Sequence, residues 1–240
     1  MIDPRASIIH DRVSGINRII AVTSGKGGVG KSLLASTLAL LLARRGRSTG
    51  LFDLDFTSPS THFILGVGET WPIEDKGIIP PLVHGLKYMS VIFYSKNRAM
   101  PLRGIDFSNA FIELLSVMKL GNLDFLIVDM PPGIGDATLD LIRFVKRTEF
   151  LIVTTSSQLA FETVKKLIAM LNELKVPILG VVENMKMGES SIKQEALKLG
   201  VRFLGEIPYD PGVENSLGNV CKLLKTVFAD SVNKIIKNLE

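Results

Sequence analysis

Gly25-Lys26-Gly27-Gly28-Val29-Gly30-Lys31-Ser32 is the stretch that decides the fold of this chain. It fits G-x-x-x-x-G-K-[ST], and both flanks suit that pattern. Residues 18–23 (RIIAVT) form a short apolar run that reads as a buried strand. Residues 31–45 carry apolar side chains at helical spacing, with no Gly or Pro. A strand, a glycine-rich turn and a helix in that order make a phosphate cradle. Glycines let backbone N–H groups converge on phosphate oxygens with no side chain in the way, and the helix adds its positive N-terminal end. Residues Gly25 to Ser32 are therefore the expected nucleotide-binding loop. Within it Lys31 reaches the β- and γ-phosphates, and Ser32 gives its hydroxyl to Mg²⁺.

Working outward, strands are expected at residues 49–53 (TGLFD), 86–93, 124–129 (DFLIVD), 150–154 (FLIVT), 178–183 (ILGVVE) and 202–205. Helices are expected at 106–119, with Asp106 or Ser108 as N-cap, and at 136–146, 161–174, 190–199 and 222–239. Alternating strands and helices imply right-handed crossovers and a mostly parallel central sheet covered on both faces, an α/β three-layer sandwich. Residues 1–240 read as one domain, with 1–17 as an N-terminal extension. Residues 56–86 are rich in Gly, Pro and Thr and give no clear element. The last helix shows one apolar stripe, Leu223, Leu224, Val227, Phe228, Val232, Ile235, Ile236 and Leu239, expected to pack on the sheet. Its polar face mixes Lys with Asp and Asn, which argues against a membrane-surface helix.

Composition narrows the function classes. A hydrophobic fraction of 46% over 240 residues is enough for one sizeable core. The formal net charge is only +4, and no Lys/Arg run forms a phosphate-tracking stripe, so no nucleic-acid partner is expected. Arg44, Arg45 and Arg47 sit at a helix end, where cations favour the dipole. The single cysteine, Cys221, excludes a disulfide framework within the chain and suits a reducing compartment. It starts an apolar helix and is expected as buried packing. No apolar run reaches the roughly 18 residues of a membrane span. Residues 1–18 do not resemble a signal peptide, and a cytoplasmic setting is expected.

The acidic residues complete the chemistry. Asp53 and Asp55 (FDLDFTSPS) lie at the C-terminal end of the second strand, where ligands of open parallel sheets bind. One carboxylate there supports the Mg²⁺ shell, and the other positions the attacking water. Asp129 ends the strand FLIVD, and carboxylates so placed hold the Mg²⁺ hydration shell. The following Pro131-Pro132-Gly133-Ile134-Gly135-Asp136 makes a rigid turn that can sense the γ-phosphate. Lys26 is a second lysine within the phosphate loop. With Lys31 already on the phosphates, Lys26 can swing outward to a nucleotide bound by a partner subunit and stabilise the transition state there.

GKGGVGKS as a whole resembles the deviant phosphate loop of the family that includes the nitrogenase iron protein, the arsenite pump ATPase, the MinD and ParA partition ATPases and the Mrp scaffold ATPases. That resemblance implies a MinD-like P-loop NTPase fold, ATP/ADP as ligand and a homodimer closed around nucleotide. Asp55 matches the family's switch aspartate, which assigns it the water and leaves Asp53 to the metal shell. Several further stretches in order resemble the Mrp branch of iron–sulfur cluster carrier ATPases: Ser58-Pro59-Ser60, Arg103-Gly104, VDMPPGIGD at residues 128–136, VPILGVVENM at 176–185 and IPYDPGV at 207–213. The resemblance runs from about residue 17 to the C-terminus. It implies that Asn184 reads the adenine edge, which suits its paired donor and acceptor. By the same resemblance Pro208, Tyr209 and Asp210 form the loop beside the base.

This chain departs from the branch in two places. Mrp-type carriers follow ENM with a Cys-x-x-Cys pair that bridges a cluster between subunits, whereas here the segment reads ENMKMGESSIK. A homodimer offers two Cys221 thiolates, short of the four that a cluster usually takes. A cluster carried by this chain alone is therefore not expected; a heterodimer with a cysteine-bearing relative, or an iron–sulfur client, would supply the link. Leu102 also stands where the family usually has an aromatic before Arg-Gly. The leading expectation is an Mg-dependent ATPase switch of the Mrp type. The alternatives are a MinD- or ParA-like positioning ATPase and a regulatory nucleotide-binding subunit.

Overall fold

The architecture follows from the alternation of apolar residues along each strand. In the computed structural model, which describes residues 3–95 and 105–239, β1 (Ile16–Ser24) runs between β7 (Leu123–Asp129) and β8 (Thr148–Thr154). Ile19 and Ala21 enter one core, and Ile20 and Val22 the other. β7 divides alike, with Leu126 and Val128 against Phe125 and Ile127, and so does β8, with Phe150 and Ile152 against Leu151 and Val153. Strands that bury both faces read as continuous apolar runs, which is why these were legible. Each fully buried Leu, Ile or Phe contributes about 1.5–3 kcal/mol by leaving water.

Around this centre lie β2 (Thr49–Asp53) and β6 (Leu86–Ser90) beyond β7, and β9 (Ile178–Lys186) and β10 (Phe203–Pro208) beyond β8. The order is β10-β9-β8-β1-β7-β2-β6, all parallel, with the short antiparallel edge strand β5 (Leu82–Val83) beside β6. The first core is covered by α1 (Arg5–Ser14), α5 (Ile105–Val117), α6 (Asp136–Phe144), α7 (Gln158–Glu173) and α8 (Ile192–Lys198). The second is covered by α2 (Lys31–Arg44), α3 (Thr61–Leu65), α9 (Val220–Leu223) and α10 (Val227–Ile236). The expected three-layer α/β sandwich is the one observed. Strand order reverses beside β1, so the loop after β1 opens at a topological switch point, where such sheets bind ligands.

Several local expectations change. Residues 5–14, read only as an extension, form α1, whose Ile9 and Val13 are buried against α5 and α6. The uncertain stretch after Phe56 holds α3, a hairpin of β3 (Ile73–Glu74) and β4 (Ile78–Ile79), and β5. β6 ends at Ser90, and the chain then turns into α4 (Ile92–Ser95) rather than extending to residue 93. Asp106 and Ser108, expected as N-caps, lie inside α5, and the Ser108 hydroxyl donates to Asp140 of α6. The single C-terminal helix is two helices. Asn219 caps α9, and the Thr226 side chain accepts from Ala229 N at 3.2 Å to start α10. Buried Phe228, Val232, Ile235 and Ile236 pack α10 on β10 and α2, as the stripe implied. Cys221 is exposed, not buried, because α9 turns Val220 and Leu223 inward. Leu102, Arg103 and Gly104 lie outside the described residues. No helix among the described residues is long and apolar enough to cross a membrane.

Candidate functional site

The loops that leave the C-terminal ends of β1, β2, β7, β9 and β10 converge on one cavity of about 500 Å³. The phosphate loop forms its floor. Gly28 and Gly30 hold φ of +78° and +81°, a left-handed conformation that costs a residue with a Cβ about 1–2 kcal/mol. Gly30 has a second constraint, since a Cβ there would lie 2.2 Å from Asn184 Nδ2. Gly25 is required by close approach instead, because its Cβ would meet Thr163 Oγ1 of α7 at 2.2 Å. The Ser24 hydroxyl donates to the Lys26 carbonyl at 2.9 Å and turns the loop outward from the strand. Lys26 is exposed, and its ammonium has no hydrogen-bond or ion-pair partner among the described residues.

Beneath the loop, Lys31 Nζ donates to Asp129 Oδ1 at 2.6 Å, with Ser32 Oγ 3.2 Å from the same ammonium. This ion pair is buried, 7% and 0% exposed. Asp129 Oδ2 is buried without a hydrogen-bond partner among the described residues. Burial pushes the Asp129 carboxyl up to about 7; the charge of Lys31 opposes this, and nearby Asp53 adds to it. Asp53 is also pushed up by burial, opposed by hydrogen bonds from Thr61 and the Asp55 amide. Asp53 Oδ1 accepts from Asp55 N at 3.0 Å, and Oδ2 accepts from Thr61 N and Oγ1 at 3.2 and 2.6 Å. Asp55 lines the cavity. Its Oδ1 accepts from Thr57 N, Thr57 Oγ1 and Ser58 N, which leaves Oδ2 without a partner among the described residues. The loop after β7 is pinned to the phosphate loop by Gly133 N, which donates to Ser24 O at 2.8 Å.

Opposite the floor stand Asn184, Pro208, Tyr209 and Asp210. Asn184 is buried, and its Nδ2 donates to Val29 O at 2.8 Å, so the end of β9 is tied directly to the phosphate loop. Met185 follows with φ of +55°, a strained conformation for a residue with a side chain. Asp210 is engaged on both oxygens, by Gly212 N at 2.9 Å and Phe228 N at 3.0 Å. Its carboxylate thus fastens this loop to the first turn of α10.

Gly27 through Ser32, Asp55, Asn184 and Pro208 through Asp210 all line the cavity. Gly25, Lys26, Asp53 and Asp129 are not among the residues that line it. Phe63 and Leu217 join the apolar part of the wall without having been expected there, and Phe228, read only as core packing of the last helix, and Val213, read only as part of IPYDPGV, line it as well. Nor was there any sign of Thr61, which holds Asp53, or of Tyr88, which bonds the Thr61 hydroxyl. The donor set suits magnesium: a hydroxyl beside a buried carboxylate oxygen with no partner matches a hard cation that keeps several waters. Among the described residues there is no cluster of three or more His, Cys, Asp or Glu side chains that would hold a metal by themselves.

Comparison with known proteins agrees with this geometry. The family model described as NUBPL iron-transfer P-loop NTPase matches residues 15–240. An iron-sulfur cluster carrier protein of Aquifex aeolicus is 39% identical over 84% of this chain, and the match spans 60% of that protein's length. A protein of the same description from Saccharolobus solfataricus is 39% identical, covering 85% of this chain and 75% of its own. Among solved structures, a nucleotide-binding protein from Archaeoglobus fulgidus in complex with ADP shares 30% identity with a TM-score of 0.74, covering 92% of this chain and 93% of its own. The cell division ATPase MinD of Pyrococcus furiosus has the same fold at a TM-score of 0.66 and 24% identity, covering 93% and 98%.

Proposed function

The chain belongs to the family of NUBPL iron-transfer P-loop NTPases, and from that membership we propose that it is a magnesium-dependent ATPase switch that closes as a dimer around nucleotide. The observation that carries this reading is the buried Lys31–Asp129 pair under a phosphate loop, with a partnerless carboxylate oxygen beside Ser32. The ATP triphosphate offers Lys31 a better partner than Asp129. Once Lys31 turns to the β- and γ-oxygens, Asp129 is freed for the cation. Ser32 and Asp129 would then hold magnesium, with Asp53 behind them. Bound there, the ion neutralises charge that develops on the phosphates.

The remaining residues act on the γ-phosphoryl group. Asp55 Oδ2 orients a water in line with the bond between the γ-phosphorus and its bridging oxygen. The new P–O bond forms as the bridging bond breaks, ADP leaves with that oxygen's electron pair, and the water's proton passes to the released phosphate. Amides of the phosphate loop, with the N-terminus of α2, hold the negative charge. Lys26 serves the partner's nucleotide. Ile134 in the loop after β7, Leu159 in the first turn of α7 and Met187 just after β9 are exposed on the same edge of the sheet as Lys26, and give that edge an apolar rim suited to a second copy. Asn184 and the loop from Pro208 to Asp210 receive the base.

The link to iron–sulfur chemistry is proposed from the names of the relatives. The turn that follows Asn184 in this chain, Met187 to Ser191, carries no thiol, and Cys221 lies on a different face in α9. The switch is therefore proposed to act on an iron–sulfur client, or beside a cysteine-bearing relative, rather than to hold a cluster itself. Titration with ATP and magnesium, followed by calorimetry and light scattering, tests the proposal. Binding with a doubling of mass is expected, and Lys31→Ala abolishes both. A wild-type protein that ignores ATP sinks the reading.

A further inference from the structure

The connection from β2 to α3 carries Asp55 and lines the cavity with Ser58 and Ser60. A single carboxylate holds both of its ends. Asp53 Oδ1 takes the amide of Asp55 at the start, and Oδ2 takes the amide and hydroxyl of Thr61 at the finish. The Thr61 hydroxyl has one proton and gives it to Asp53 at 2.6 Å. The Thr61 oxygen therefore accepts from Tyr88 OH, 2.9 Å away. Donation runs in one direction, from Tyr88 on β6 to Thr61 on α3 to Asp53 on β2. All three side chains are 0% exposed. In so dry a setting each bond is stiff, and an unmade one is costly. Neither Thr61 nor Tyr88 lines the nucleotide cavity.

We infer that Thr61 and Tyr88 are positioning residues for hydrolysis, which fix Asp53 so that Asp53 fixes the backbone of Asp55. The inference rests on the ATPase reading above and adds to it the residues that aim the water-orienting carboxylate. The tyrosine anchors the chain to a strand whose register is set by five pairs with β2, among them Leu51 with Tyr88. Neither Thr61 nor Tyr88 reaches the cavity, so binding and aiming are separable.

Steady-state turnover, equilibrium ATP affinity and thermal melting of Thr61→Val, Thr61→Ser and Tyr88→Phe test this in the full chain. Thr61→Val keeps the shape and removes the hydroxyl. It is expected to lower kcat by about ten- to a hundredfold, as small misplacements of a reacting group do, with ATP affinity unchanged to within about twofold. Thr61→Ser restores the donor and is expected to recover most of the loss. Tyr88→Phe leaves the Thr61–Asp53 bond in place, melts cooperatively and shows a smaller fall in kcat. A folded Thr61→Val protein with wild-type kcat overturns the inference, and so does a parallel fall in affinity and kcat that serine does not rescue. If Thr61→Val fails to fold, a Tyr88→Phe protein with wild-type kcat overturns it as well. A wild-type chain with no turnover brings down the ATPase reading first, which separates the two failures.

Discussion

Gly30→Ala should cost more stability than Gly28→Ala, and the difference isolates one contact. Both glycines hold φ near +80°, so an added Cβ costs each about 1–2 kcal/mol in backbone strain. Around Gly28 nothing among the described residues lies within 4 Å of the added atom, and strain is the whole cost. At Gly30 the Cβ would stand 2.2 Å from Asn184 Nδ2, with Met185 Cε at 3.3 Å. Asn184 is 1% exposed and must give up its 2.8 Å bond to Val29 O to make room. A buried polar group left unsatisfied adds about 1–3 kcal/mol. The totals are about 1–2 kcal/mol for Gly28→Ala and about 2–5 kcal/mol for Gly30→Ala. Urea unfolding of the nucleotide-free protein reads both. In an Asn184→Ala background the clash is gone, so Gly30→Ala should fall back to the strain alone. Equal costs for the two glycines, or full additivity with Asn184→Ala, would refute the direct link between the phosphate loop and β9.

Four further outcomes follow from the site. Lys31→Met strands the Asp129 carboxylate and should cost about 3–5 kcal/mol of nucleotide-free stability at pH 8 by urea unfolding, and less as the pH falls and Asp129 takes up a proton. In the wild type, burial raises Asp129 from 3.8 to about 7, so the folded chain binds a proton more tightly than the unfolded one. Nucleotide-free stability should therefore decline as pH rises through that window, and Asp129→Asn should flatten the slope. Lys26→Ala removes an exposed, unengaged side chain, so the melting temperature should hold while turnover and ATP-dependent dimerisation drop; unchanged turnover would refute the role across subunits. Cys221 should react with iodoacetamide in the native protein, and Cys221→Ser should alter stability by less than about 0.5 kcal/mol.

What could be read in advance was local. The phosphate loop, its strand and its helix are contiguous, and their residue types are dictated by one chemistry. The doubly buried strands betrayed themselves by unbroken apolar runs. Features that depend on distant partners stayed hidden. Thr61 is an ordinary polar residue in a weakly patterned stretch until β6 brings Tyr88 beside it. Asp210 looks like a base-loop residue, yet both its oxygens are committed, one of them to the amide of Phe228. Thr226 reads as a polar position within a helix, and only its bond to Ala229 N marks the break between α9 and α10. Cys221 faces out because Val220 and Leu223 take the inward positions of α9. In α1 only Ile9 and Val13 are buried, too few apolar positions to announce a helix that packs on two others.

The most direct test of the central claim, an ATP-driven switch that holds no cluster of its own, is one anaerobic reconstitution. Iron and acid-labile sulfide are counted per dimer beside ATP turnover of the same sample. The account predicts turnover with far less than one cluster per dimer, unchanged by Cys221→Ser. A stoichiometric cluster, or a nucleotide-bound protein that never turns over, would contradict it.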